Sequence, residues 1–591
     1  MRALFVLCLL SLTASMPAHS EDKILVTATR GEANAESLPF SGGSASGDRW
    51  DAAGGNPETA LSGIPGLSFT SNGAPGQPRS LLIRGANAQH TLVLIDGIPV
   101  NDPLSPSRSF DFGQIPVSEI DHVEVIKGPQ SVLYGSDAMG GVVQIFTKKG
   151  KASRARLEAG SYGTVKADLA SMGFRAGYFS TKGFSAADVR NGNTEADGSR
   201  NWNLGGSQDF PVTDTFLMRL NAQYNDNRTD TDKNGGVGGD SLNTYSTHSQ
   251  FLLREENVIL LPGDAELSIA GDYGTHNRTD NTNGSDYYNS QLWKVEAIAR
   301  KTLSSHRLTL GSEFADEGGT SSQTTGGRRD FRSGGLYAQD EIELREGLNL
   351  VAGGRLDLHS QTDTAGTYRA GLSYWLWKKV LRAKASIGSG FKAPSLYQTY
   401  SSFGSLTLRP EKSIGGDAGI EVKGESWSSD LTFFANRFRD LIDFNLVTNQ
   451  FFNQSRAETY GLEWALTKRF GIFHADNSAT FLRAYDPATG LLLLRRPRWS
   501  DTLEFGLGKE KAYGANLLFR YIGSRIDSHP VLLTRQLMPA YYTLGADFFR
   551  EISNGIRLVG RGENLLDRNY QETSGYGVPA LSAYAGIEAD L

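Results

Sequence analysis

The chain has 591 residues, with 59 Lys or Arg against 65 Asp or Glu, and its net charge of −6 is spread along its length. A nucleic-acid partner needs a clustered basic face and an interaction tail needs a charge run, and neither is present. Cys8 is the only cysteine; past the leader read below, the chain has none for a disulfide, a thiolate metal site or a cysteine nucleophile.

In chain order, Met1-Arg2, the apolar run "ALFVLCLLSLTAS" and Ala18-His19-Ser20 read as a secretory signal peptide over residues 1–20, cleaved after Ser20. The run falls short of the ~20 residues that a membrane-spanning helix needs. Next, "EDKILVTATR" at 21–30 sets the strand-forming Ile24, Leu25, Val26 and Thr27 between charges, and "FSGGSASGD" at 40–48 reads as a flexible tether. A lone strand edge is a hazard that proteins usually hide, so its display here asks for a partner. Residues 31–150 mix short strands and turns and read as a compact unit of their own.

From about residue 152 the chain alternates. "FLMRLNAQY" places Phe216, Met218, Leu220, Ala222 and Tyr224 on one face and Leu217, Arg219, Asn221 and Gln223 on the other; "LRAKASIG", "LNLVAGGRLDL" and "YTLGADFF" repeat the pattern. A soluble sandwich alternates too, with its apolar face inward. A transmembrane barrel is favoured because the runs continue for some 400 residues, because long polar loops alternate with short turns, and because aromatics gather near strand ends. A barrel of 22 strands, the size of plugged outer-membrane transporters, would use about 20 residues per strand and connection.

The segments "LLIRGANAQHTLVLIDGIPVND" and "EIDHVEVIKGPQSVLYGSDAMGGVVQIFTKKG" resemble the plug of TonB-dependent outer-membrane receptors. "GSGFKAPSLYQ" at 388–398, "LRPEKS" at 408–413, "ETYGLE" at 458–463 and "ENLLDRNY" at 563–570 resemble barrel motifs of that family. The resemblance implies an all-β barrel of 22 antiparallel strands over 151–591 with an N-terminal α+β plug, 31–150, in its lumen. It implies a monomeric transporter in the outer membrane of a Gram-negative bacterium, and no enzyme. No GxSxG motif is present and the histidines are scattered singly. Asp22, Lys23, Ile24, Leu25, Val26, Thr27 and Ala28 then resemble a TonB box, a strand offered for β-augmentation to TonB and its energising inner-membrane complex. Other implied partners are outer-membrane lipids and the barrel assembly machinery. The last strand, "AYAGIEADL", ends on Leu591 where an aromatic residue is usual, with Tyr584 and the alternation kept. Arg84, Lys127 and Asp96 read as structural residues, the first two as ion pairs inside the barrel and the third as a turn former.

Within the family, no His lies between Phe391 and Glu411, which counts against haem. "ADVRNGNTEADG" and "YNDNRTDTDKNGGVGGD" are similar to calcium-binding loops of cobalamin receptors (BtuB). The similarity implies calcium ligands at Asp188, Asn193, Glu195, Asp197, Thr231, Asp232 and Asp240. Calcium takes six to eight oxygens from flexible loops. Glu195 and Thr231 depart from the Asp and Tyr expected. The same resemblance implies that Ser80, Asn87, Ser107 and Arg525 contact a cobalamin or other corrinoid, with a ferric siderophore as the alternative cargo.

Overall fold

The computed structural model describes residues 24–25, 27–31, 33–115, 120–150, 153–282, 284–453, 456–509 and 512–591. The signal-peptide reading and Asp22, Lys23 and Val26 of the TonB segment fall outside them.

Twenty-two antiparallel strands form a closed barrel, each hydrogen-bonded to its neighbours in chain order. Closure is made by the first strand, Arg154–Gly160, against the last, Ser582–Asp590. On one rim the strands are joined by tight turns, such as the two residues between Ser171 and Phe174; on the other the connections are long, such as 393–410 and 564–581. Short turns mark the periplasmic rim of outer-membrane barrels and long loops the outside. Alternation decides which wall is wet. Along Phe216–Asp230, Asn221, Gln223, Asn225, Asn227 and Thr229 point inward and are buried, while Leu220 and Tyr224 lie exposed outward. The barrel interior is polar because the plug and water meet it, and the exterior is apolar because lipid does.

The plug is a five-stranded sheet in the order Gly42–Ser46, Ile120–Lys127, Gly141–Thr147, Thr91–Ile95 and Ile98–Pro99, with a separate hairpin, Leu67–Ser71 with Arg79–Ile83. Trp50, Leu61, Ile83, Val93, Val125 and Val143 anchor its core. Asp96 and Gly97 turn the chain between the strands Thr91–Ile95 and Ile98–Pro99 with φ of 47° and 89°, the left-handed pair that a tight hairpin demands. The Asp96 carboxylate accepts from Thr147 N at 3.0 Å and from Asn221 Nδ2 at 2.7 Å, so it also ties the plug to the wall.

Two expectations about the N-terminal region are corrected. The stretch 40–48 is no tether: Gly42–Ser46 pairs with Ile120–Lys127, and Ser46 caps the helix Gly47–Ala52. Its small residues serve close approach, since a Cβ at Gly42 would lie 2.5 Å from the Val125 carbonyl oxygen and one at Gly47 2.1 Å from that of Ile120. Nor is the preceding strand unpaired. Ile24 and Leu25 pair with Asn34 and Ala33, which hides the edge within the chain's own hairpin.

Candidate functional site

Three places gather the residues with chemistry: the outer apex of the plug, two outer loops above it, and the N-terminal segment below.

At the apex, plug loop 85–90 faces barrel residues 441–443, 456–457 and 486–496 across a cavity of about 300 Å³. Asn87 lines it. Its side-chain Oδ1 accepts from Arg496 Nη2 at 2.5 Å, and Arg496 Nε donates to the Gly85 carbonyl at 3.1 Å. No carboxylate pairs with Arg496 among the described residues; burial, then the neighbouring Arg495, pushes its guanidinium down to about 10. Arg456, Gln89, Phe438 and Leu493 share the lining with two carboxylates, Asp443 and Asp486. Beneath them His90 stacks on Phe438 and places Nε2 3.2 Å from Glu411 Oε2, while Glu411 Oε1 accepts from Ile442 N at 2.8 Å. The wall is thus tied to the plug by a buried pair, and Arg496 lines the cavity with no paired carboxylate among the described residues. Only Asn87 of this set was expected. The doubled arginine in "LLLLRRPRW" was the available signal for Arg496.

The other expected ligand contacts lie elsewhere. Ser80 sits half-buried in the plug hairpin opposite Thr70, and Ser107 Oγ lies 3.2 Å from Ser109 Oγ on the loop after Val100. Arg525 is buried: it donates to the carbonyls of Gln571 and Glu572, the latter at 2.9 Å from Nη2, and lies against Tyr541. It ties the strand Arg525–Ser528 to the last long loop and lines a cavity between the plug hairpin and the wall.

The hairpin loops 185–196 and 231–244 do meet. Asn193 Nδ2 donates to Gly236 O at 3.1 Å, and Asp240 N to Asn193 Oδ1 at 3.0 Å. Carboxylate oxygens of Glu195, Asp232 and Asp240 lie within 4.8 Å of one another, and Asp197 stands beside Asp232. Burial, then Asp232 and Asp240, raises the Glu195 carboxyl. The cluster has no Lys or Arg partner among the described residues; its oxygens accept from main-chain N–H groups, Ala187 onto Asp232 at 2.7 Å and Thr194 onto Asp240 at 2.8 Å. Two expected ligands stand apart. Asp188 caps a short turn; burial works against its charge, but hydrogen bonds from Arg190 hold its carboxyl below the usual range. Thr231 Oγ1 lies 3.1 Å from Thr282 Oγ1, away from the cluster.

The N-terminal segment is docked. Thr27 N donates to Glu124 Oε2 at 2.8 Å, Tyr134 Oη donates to the Thr27 carbonyl at 2.8 Å, and Arg369 of the wall donates to the Ala28 carbonyl at 2.8 Å. Arg30 then forks onto both oxygens of barrel Glu296 at 2.9 Å, over the Tyr134 ring. Arg84 and Lys127 are ion-paired as expected: Arg84 reaches Asp417 at 2.7 Å and Glu463 at 2.8 Å, and Lys127 reaches Glu463 at 2.7 Å.

The family description "TonB dependent receptor-like, beta-barrel" matches residues 150–584, and "TonB-dependent Receptor Plug Domain" matches 46–142. Among solved structures, the siderophore receptor PirA from Acinetobacter baumannii is 18% identical, aligned over 94% of this chain and 99% of its own, with a TM-score of 0.77. A mutant of the ferric enterobactin receptor PfeA from Pseudomonas aeruginosa is 19% identical over 93% and 98%, with a TM-score of 0.78. The copper transporter OprC is 15% identical over 90% and 95%, with a TM-score of 0.75.

Proposed function

The chain belongs to the TonB-dependent receptors, outer-membrane transporters of Gram-negative bacteria, and from that premise we propose that it imports an anionic ferric siderophore. The observation that carries the cargo is Arg496: a partly buried guanidinium at the plug apex, held only by neutral acceptors, the carbonyls of Gly85, Ala86 and Leu494 and Asn87 Oδ1, lining a cavity, and without a paired carboxylate among the described residues. A ferric chelate with negative charge supplies the missing counter-ion, and Arg456 lies on the same lining. A neutral corrinoid does not need this. The expected cobalamin specificity gains nothing from the neighbours named above, which bind siderophores or copper, and the alternative cargo stands in its place. Those neighbours are too distant to carry the ligand by themselves.

TonB pulls on the N-terminal segment in this family. Here the pull would first release Thr27 and Ala28 from Glu124, Tyr134 and Arg369, and then the Arg30–Glu296 fork.

The test is calorimetric titration of the detergent-solubilised receptor with a ferric tris-catecholate and with cyanocobalamin. The chelate is expected to bind, and Arg496→Ala to weaken it about 10–100-fold, the worth of one charge-assisted hydrogen bond. Cyanocobalamin binding that ignores Arg496→Ala would overturn the reading.

One observation favours a second reading. The carboxylates of Glu195, Asp232 and Asp240, with Asp197 beside them, fit a calcium ion that orders the outer loops before a corrinoid binds. Calcium would then tighten cyanocobalamin at least tenfold and Asp232→Asn would abolish the gain; chelator-insensitive binding would dismiss calcium.

A further inference from the structure

Low in the lumen, a cavity of about 620 Å³ separates the plug helix Gly47–Ala52 from the barrel wall near its periplasmic rim. His474 and Asp476, two apart on the strand Phe473–Tyr485, share its inner face; Glu504 comes from the adjacent strand, Trp499–Lys509. The register sets Asp476 opposite Glu504 and His474 opposite Gly506. Gly506 leaves the imidazole its place, since a Cβ there would lie 2.0 Å from His474 Cε1 and 2.3 Å from Nε2. The ring therefore leans across the neighbouring strand toward Glu504.

His474 Nε2 lies 3.6 Å from Glu504 Oε1 and 4.0 Å from Asp476 Oδ2, and donor atoms of the three residues fall within 4.8 Å of one another. These gaps are too long for N–H···O hydrogen bonds. They approach the ~3.4 Å that separates two ligands of a tetrahedral ion with bonds of about 2.1 Å. Glu504 Oε2 is held by plug Arg49 Nη2 at 2.7 Å, which leaves Oε1 free and orients it. Asp476 has no Lys or Arg partner among the described residues. The cavity's arginines on the far wall are matched already: Arg156 and Arg561 with Glu158, and Arg557 with Glu588.

We propose that His474, Asp476 and Glu504 bind a divalent transition-metal ion, with Zn²⁺ as the reference cation, at the periplasmic end of the seam between plug and barrel. One imidazole and two carboxylates suit Zn²⁺, Fe²⁺ or Mn²⁺ and disfavour soft Cu⁺. Arg49 makes the site report on the plug, because a plug that moves away leaves Glu504 unsupported. The inference stands apart from the cargo reading.

The test is titration of tag-free full-length receptor in detergent with ZnCl₂, with metal content counted by mass spectrometry. One Zn²⁺ per chain is expected to be lost in His474→Ala and in Asp476→Asn. Gly506→Ala, which removes no donor, is expected to weaken binding by displacing the ring. Arg49→Ala is expected to cost about 10–100-fold, as outer-shell partners do. His306→Ala, at an exposed His–Asp pair on the same rim, is expected to change nothing. Heat-modifiable migration in gels checks that each barrel is folded. Absence of stoichiometric zinc in the wild type, or its retention in both His474→Ala and Asp476→Asn, would overturn the assignment.

Discussion

Glu572 lies buried within the last outer loop, beside Glu58 of the plug, where its charge is disfavoured. Burial, then Glu58, pushes its carboxyl up to about 8, against the pull of Arg79 and Arg520. An unfolded Glu titrates near 4.3. Between the two values the folded state holds the extra proton, so stability falls as pH rises across this window. The loop 564–581 is expected to lose hydrogen-exchange protection between pH 5 and 8, corrected for intrinsic rates, and Glu572→Gln to flatten that loss. An unchanged pH profile in the variant would show that Glu572 is not the titrating group. The same loop shows what the sequence leaves out about Arg525. A polar side chain in an outer segment looks like a ligand contact, but its acceptors are the carbonyls of Gln571 and Glu572, and main-chain carbonyls leave no trace in residue identity. Arg496 is the opposite case, legible as a charge beside leucines but not as one without a carboxylate.

At the scale of elements, strands were legible because alternation is a property of each segment alone; the face holding Asn221, Gln223 and Asn225 is buried as the pattern requires. The state of the N-terminal segment was not, because its partners come from afar: Glu124 and Tyr134 in the plug, and Arg369 in the wall. Glycines in 40–48 looked like flexibility and turn out to be closeness, a distinction that only the neighbouring strand makes. The segment's role as a handle is testable because its own pairing is slight. Ile24 and Leu25 make just two residue pairs with Ala33 and Asn34. Leu25→Pro removes one N–H donor and bars a continuous added strand. Uptake into cells is expected to fall to background while equilibrium binding of the chelate stays within about twofold, since such an edge pairing is worth little to the plug. Undiminished uptake would remove residues 24–28 from the energy-coupling role.

For the whole molecule, two parts are stabilised by different physics. The barrel closes every strand edge, and in lipid an opened ladder would leave its amides and carbonyls without partners at several kcal/mol each. The plug has a small core of its own and is docked by charges that cross to the wall: Arg84 and Lys127 onto Glu463, Arg84 onto Asp417, and Arg30 onto Glu296. Such buried pairs add little over an apolar interface, but removing one partner strands the other and costs about 3–5 kcal/mol. Lys127 is the exposed weakness of this arrangement. Burial lowers its affinity for its proton, and Glu463 is the carboxylate that it touches. Glu463→Gln would leave Lys127 without a carboxylate, beside the Pro65 carbonyl 3.0 Å away, and Arg84 with Asp417 as the carboxylate that it still reaches. Calorimetry in detergent is expected to show two transitions, the lower from the plug and the upper from the barrel. The variant is expected to move the lower one down by about 10–20 °C, as such a loss does in a domain of roughly 100 residues. The upper one should stay put, because the barrel ladder contains no bond to the plug. A single transition that shifts as a unit would mean instead that plug and barrel melt together, and that the charges of the seam are part of one cooperative fold.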